Sequence, residues 1–259
     1  MNIINKYIFP ESYNTLGRIP LIFVAMTGII YFIIYTVYEE EIERRFTTQE
    51  YIAHGGGAID GYPATNSLEA VTRSIENNIL YIELDIRPTS DSILVATHDW
   101  ESFSKMSGIS ASEGNPPSYD DFRRAKLLGK YTPLTYKMID SIFMKKPELK
   151  LVTDKTDDID FLLQFLPRLA NRLMVECFSS ETYNKCVESK SCIPMHSYLN
   201  FSFGDLNVTA LGSDRHKLLR FIPSLYSLFS TDGMTRSRAD SIFSTDRRVK
   251  FIYIDDTNQ

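Results

Sequence analysis

Hydrophobic residues along this chain fall into three patterns, and each predicts a different kind of element. The first is a continuous run. Residues 20–38 read PLIFVAMTGIIYFIIYTVY, nineteen positions without a charge, which is long enough for one helix across a bilayer. Tyr31, Tyr35 and Tyr38 gather toward its C-terminal end, as interfacial aromatics do. No small-residue cleavage site follows, so an uncleaved anchor is expected rather than a signal peptide. Lys6 and Arg18 precede the run, and Arg44 and Arg45 follow it among several glutamates. This weak asymmetry favours an N-terminus inside and a large domain outside the cytoplasm.

The second pattern is the short, strand-like apolar run, at residues 51–53, 80–86, 92–97, 149–153, 172–178, 192–199 and 249–254. The third is the helical stripe. Asn66 or Ser67 caps a helix reaching about residue 78, with Leu68, Val71 and Ile75 on its buried face. Further helices are expected at 119–126, 136–144, 158–171, from Ser180 onward, at 215–221 and at 236–243. Residues 100–117 are polar and rich in Ser and Gly, and predict a loop beside the site, a candidate substrate lid. Strands alternating with helices predict an α/β fold with a parallel sheet, and 259 residues suffice for a barrel. The expected organisation is an N-terminal segment at 1–19, a transmembrane anchor at 20–38, a linker at 39–49 and an α/β domain at 50–259.

Composition narrows the partners. A formal net charge of −5, with no concentrated basic stretch, argues against a nucleic-acid binder. The three cysteines, Cys177, Cys186 and Cys192, make no disulfide framework and no zinc-type spacing, although one pair could form in an oxidising compartment.

Candidate chemistry sits at the ends of apolar runs. Glu83 and Asp85 are two apart in a strand-like segment, so both side chains point to one face. Two acids on one face of a buried strand repel each other, and a bound cation is the simplest way to hold both ionised. All-oxygen ligands suit Mg²⁺ or Ca²⁺. His54 and His98 end neighbouring apolar runs, placed to act as base and acid. Asp154 and Lys155 close the fourth apolar run. On a regular strand only one of the two faces inward: Asp154, which is favoured, or Lys155, with Thr153 then in the acid's place, although a bulge at the strand end could serve both.

The stretch from Ile52 to Trp100 resembles the glycerophosphodiester phosphodiesterase family. That family's signature runs His-Arg-Gly, Glu-Asn-Thr before a helix, Glu-x-Asp, then His-Asp. Here His54-Gly55-Gly56, Asn66-Ser67, Glu83-Leu84-Asp85 and His98-Asp99 stand in that order. Gly55 replaces the arginine, which leaves Arg87 and Lys155 as the cations to bind substrate. The family places Glu-x-Lys at the fourth strand, where this chain has Asp154-Lys155.

The resemblance implies a TIM-type (β/α)8 barrel with the site at the strands' C-terminal ends. His54 and His98 would be catalytic. Glu83, Asp85 and Asp154 would hold a divalent metal, Ca²⁺ or Mg²⁺. It implies metal-dependent hydrolysis of glycerophosphodiesters or related lipid head-group phosphodiesters, with a neighbouring substrate hydroxyl able to attack first. The rival readings are a phospholipase C- or D-like enzyme on intact lipid, and an inactive barrel used as a binding module. The polar tail after residues 249–254 resembles the family's seventh strand. The last βα unit is therefore expected to be lacking, with three outcomes open: the other strands tighten, another segment fills the gap, or the chain is a truncated product.

Overall fold

The computed structural model describes residues 25–30, 32, 48–196, 208–212, 228–230, 234–245 and 251–257. The chain divides into two compact units, Met1–Arg45 and Phe46–Gln259. In the first, residues 25–30 and 32 are helical and exposed. Among the described residues no helix is long and apolar enough to cross a membrane, and the rest of the expected 20–38 anchor lies outside them.

The second unit is built on parallel strands. These are β1 (Glu50–Ala53), β2 (Tyr81–Pro88), β4 (Lys150–Asp154), β5 (Leu173–Cys177), β6 (Ile193–His196), β7 (Val208–Gly212), β8 (Leu228–Ser230) and β9 (Phe251–Ile254). Each pairs in parallel with the next, and β9 pairs with β1, which also pairs with β2. The ring is therefore closed. This corrects the expectation of a missing last unit: β7 and β8 fill the ring between β6 and β9, and β9, expected as the seventh strand, closes the barrel on β1.

A second correction concerns the third apolar run. Its core, β3 (Leu94–Ala96), pairs antiparallel with the end of β2 and is not a barrel stave. The five residues between β2 and β3 suffice for a hairpin, whereas a parallel return needs a crossover of a dozen residues or more.

Helices pack outside the ring: α1 (Leu68–Glu76), α2 (Trp100–Ser107), α3 (Tyr119–Arg124), α4 (Tyr136–Lys145), α5 (Ile159–Phe165), α6 (Ser180–Ser189) and α7 (Arg236–Thr245). Ser67 caps α1 by accepting a hydrogen bond from the Ala70 amide. The expected 158–171 helix is α5 followed by a 3₁₀ turn at Pro167–Leu169, because Pro167 cannot donate to a continuing helix. The expected lid at 100–117 begins as helix α2, capped by Asp99 and stopped at left-handed Gly108. Trp100 and Phe103 are buried against Phe122, so this part of the segment is held by packing. The 215–221 helix lies outside the described residues.

Alternation along the strands separates two cores. Ala53, Ile82, Leu84, Leu151, Val175 and Ile252 face the helices. Ile52, Val152, Met174, Met195, Phe251 and Tyr253 fill the ring. The next inward positions toward the strands' C-terminal ends are polar, and they build the site.

Cys186 and Cys192 form a disulfide joining α6 to the approach to β6. Cys177 is buried and free, and burial pushes its thiol up to about 12, so it is unreactive at neutral pH.

Candidate active site

Glu83 and Asp85 stand on the inward face of β2, 2% and 1% exposed. The register pairs Asp85 with Asp154 on β4. Ligand oxygens of Glu83, Asp85 and Asp154 all lie within 4.8 Å of one another, a set that could hold a metal ion. Burial first, then the charge of Asp85, pushes the Glu83 carboxyl well above its ordinary range. Glu83 Oε2 accepts the Gly55 amide at 2.6 Å, while Oε1 is buried without a hydrogen-bond partner among the described residues. An orphaned buried carboxylate oxygen facing two more carboxylates fits a hard cation such as Mg²⁺ or Ca²⁺.

Asn66 fixes Asp85 from the other side. Its Nδ2 donates to Asp85 Oδ2 at 2.8 Å, and its Oδ1 accepts the Asp85 amide at 3.0 Å. Its backbone is left-handed, with φ +52°, a conformation Asn tolerates better than most residues.

The choice between Asp154 and Lys155 resolves in favour of both. Asp154 ends β4 facing inward, and Lys155 turns out of strand geometry at φ +68°. That turn folds its Nζ back to 2.6 Å from Asp154 Oδ2 and 3.4 Å from Asp85 Oδ1. Burial acts to discharge the ammonium, but Asp154 and Asp85 outweigh it and hold its pKa above the ordinary lysine value.

His54 follows β1, and its Nδ1 lies 2.8 Å from Asp255 Oδ1, just past β9. Asp255 Oδ2 accepts the Met234 amide at 3.2 Å. Burial opposes charging of the imidazole. The Asp255 hydrogen bond and the charges of Glu83, Asp255 and Asp85 prevail, and raise its pKa to about 9.

Gly55 explains the departure from the family signature. At φ +53°, a Cβ there would lie 2.4 Å from the Ala64 Cα, so no side chain fits while the amide reaches Glu83.

His98 stands at the rim, exposed, with Nδ1 2.7 Å from Asp99 Oδ2. The Thr97 amide donates to the Asp85 carbonyl at 2.8 Å, which brings this rim to the carboxylate end of β2. Arg87 is committed locally: Nε donates to the His98 carbonyl at 2.8 Å and Nη1 to Glu113 Oε2 at 2.7 Å. The structure thus gathers Glu83, Asp85, Asp154, Lys155 and His54, and sets His98 and Arg87 together at the edge. His196 ends β6, and His216 lies outside the described residues.

Several solved structures share this arrangement of strands and helices. A glycerophosphoryl diester phosphodiesterase from Parabacteroides distasonis superposes with a TM-score of 0.61 at 15% identity, over 85% of this chain and 88% of that one. A glycerophosphodiester phosphodiesterase from Agrobacterium tumefaciens gives 0.59 at 13% identity, over 81% and 97%. One from Thermotoga maritima gives 0.58 at 13%, over 81% and 95%. The chain has the glycerophosphodiester phosphodiesterase fold. At these identities the likeness is one of fold. No family model matches the sequence, and no curated protein matches it.

On that fold, two residues of the mouth had no assigned role in the sequence reading. Asp255 lay in the polar tail already noted after the last strand. Glu176 is the one charged residue of β5, at a position whose alternation with Met174 points it into the ring. A lone acid inside an apolar strand was the signal.

Proposed function

We propose that the chain is a metal-dependent phosphodiester hydrolase acting on glycerophosphodiesters or related lipid head-group phosphodiesters. The observation that carries this reading is the convergence of Glu83, Asp85 and Asp154 at the barrel mouth, with Glu83 Oε1 unpartnered. Barrel enzymes place their chemistry at this end of the strands.

Glu83, Asp85 and Asp154 would hold the cation, which when bound supplies neutralisation of phosphodiester charge. Lys155 stands ready beside the same carboxylates to bind a phosphoryl oxygen. Asp255 holds a proton on His54 Nδ1, which leaves Nε2 as the atom that takes and returns a proton. Neutralising Glu83 and Asp85 removes two of the charges that keep His54 protonated. His98, its Nδ1 engaged by Asp99, has Nε2 for the complementary acid or base step.

The apolar run at 20–38 supports membrane attachment, with the catalytic unit outside the cytoplasm. The Cys186–Cys192 disulfide agrees with an oxidising compartment. The test is hydrolysis of a panel of soluble phosphodiesters and lipid vesicles by the full chain, with and without EDTA. EDTA-sensitive release of alcohol from soluble diesters supports the reading, and action on vesicles alone favours a phospholipase. Inactivity on every diester would favour a binding module, a reading to which Lys155 lends weight by already bridging two of the three carboxylates.

A further inference from the structure

Glu176 belongs to the site but not to the cation cluster. Leu173, Val175 and Cys177 of β5 face the helices, while Met174 lies inside the ring. Glu176 therefore points into the barrel one level above Met174. The register pairs Thr153 with Val175 and Asp85 with Asp154. Asp85, Asp154 and Glu176 thus occupy adjacent strands at one level, each about 4.8 Å from the next.

Their partners differ. Asp85 has Asn66 and Lys155, and Asp154 has Lys155. Glu176 is 9% exposed and forms no hydrogen bond among the described residues. Burying a carboxyl without a hydrogen bond is costly, and the charge of Lys155, shared with Asp85 and Asp154, offsets only part of that cost. Its neighbour across the ladder is Met195, so an apolar side chain suits the same layer. The site therefore holds an acid where packing alone asks for none.

Burial and the charges of Asp154 and Asp85 favour the neutral form of Glu176 until a cation arrives, and once ionised it repels a phosphoryl group. It lies one strand beyond Asp154, away from Glu83, where one ester arm of a phosphodiester held at the cation cluster can reach. A hydroxyl on that arm would give it one hydrogen bond. An ammonium would give up to three donors and offset the excess of negative charge along the row.

We propose that Glu176 is a specificity-determining residue that receives a primary ammonium group on one alcohol arm of the phosphodiester. This rests on the phosphodiesterase reading. The test uses the full chain and two glycerol phosphodiesters that differ only in the second arm, 2-aminoethyl or ethyl. The parent should favour the aminoethyl ester by about tenfold or more in kcat/KM. Glu176→Gln should erase that preference through KM, leave the ethyl ester within about twofold, and leave Ca²⁺ or Mg²⁺ affinity unchanged by calorimetry.

An equal fall on both esters, a preference that survives Glu176→Gln, or weakened metal binding in the variant would overturn the proposal. The last result would make Glu176 a ligand of the cation. A parent that hydrolyses both esters without preference overturns it with no variant needed, even if Glu176→Gln fails to fold. A parent that hydrolyses neither ester but acts on other diesters of the panel overturns this proposal alone, whereas inactivity on every diester removes the phosphodiesterase reading and this proposal with it.

Discussion

His54 Nδ1 and Asp255 Oδ1 lie 2.8 Å apart across 201 positions of sequence. Asp255 is itself held by the Met234 amide, so the imidazole is oriented by a fixed carboxylate. Asp255→Asn keeps the shape but offers Nδ1 a different partner. Turnover on a phosphodiester that the parent hydrolyses should fall about 10²-fold or more, with KM little changed. His54→Ala and His98→Ala should each lower turnover by about 10² to 10⁴, and the double variant by less than their product. Near-normal turnover in either single variant would remove that histidine from the mechanism.

The same groups set a pH dependence on stability. His54 is raised from 6.5 to about 9, and Glu176 from 4.5 to about 8, so the folded state binds more protons than the unfolded. The His54 contribution is fully present below pH 6.5 and is lost as pH rises through about 9. The Glu176 contribution is present below pH 4.5 and is lost through about 8. EDTA-treated protein should therefore show a denaturation midpoint that falls as pH rises from 5 to 9. A midpoint rising over that range would contradict the assigned shifts.

Glu83→Gln and Asp85→Asn each remove one charge from the cluster with little change of shape. Calorimetric titration with Ca²⁺ or Mg²⁺ should show much weaker binding in both variants. Unchanged affinity in both would mean that the cluster is not a cation site.

Gly55→Ala tests why the turn after β1 carries no side chain. The new Cβ meets the Ala64 backbone at 2.4 Å in a left-handed conformation. Denaturation should show a loss of about 1–3 kcal/mol. A neutral effect would show that the turn has room to rearrange.

The anchor at 20–38 is tested by carbonate extraction. The full chain should stay with the membrane fraction, and residues 46–259 expressed alone should be released. Extraction of the full chain by carbonate rules out a spanning helix.

Much of the site was legible because its residues sit at the ends of strongly apolar runs. Glu83 and Asp85 declare a shared face by their spacing alone, and His54 and His98 close neighbouring runs. Lys155 was ambiguous for a physical reason: strand alternation allows only one inward residue of an adjacent pair, and a left-handed backbone at Lys155 escapes that rule. Glu176 was hidden inside a run that reads as buried on both faces, where period-two alternation carries no visible contrast. Strands β7 and β8 are five and three residues long and too short to show a pattern. Helix α2 carries its apolar stripe, Trp100, Phe103 and Met106, through a segment rich in Ser, whose composition reads as loop.

Closure of the ring by β9 has a consequence for biosynthesis. The partner of His54 arrives with Asp255, immediately after a strand that must hydrogen-bond to β8 on one flank and β1 on the other. A nascent chain halted before Phe251 already carries Glu83, Asp85, Asp154 and both histidines, yet has an open seam and an unoriented imidazole. Sealing the ring and orienting that imidazole are therefore one event, because the strand that joins β8 to β1 delivers Asp255 to His54.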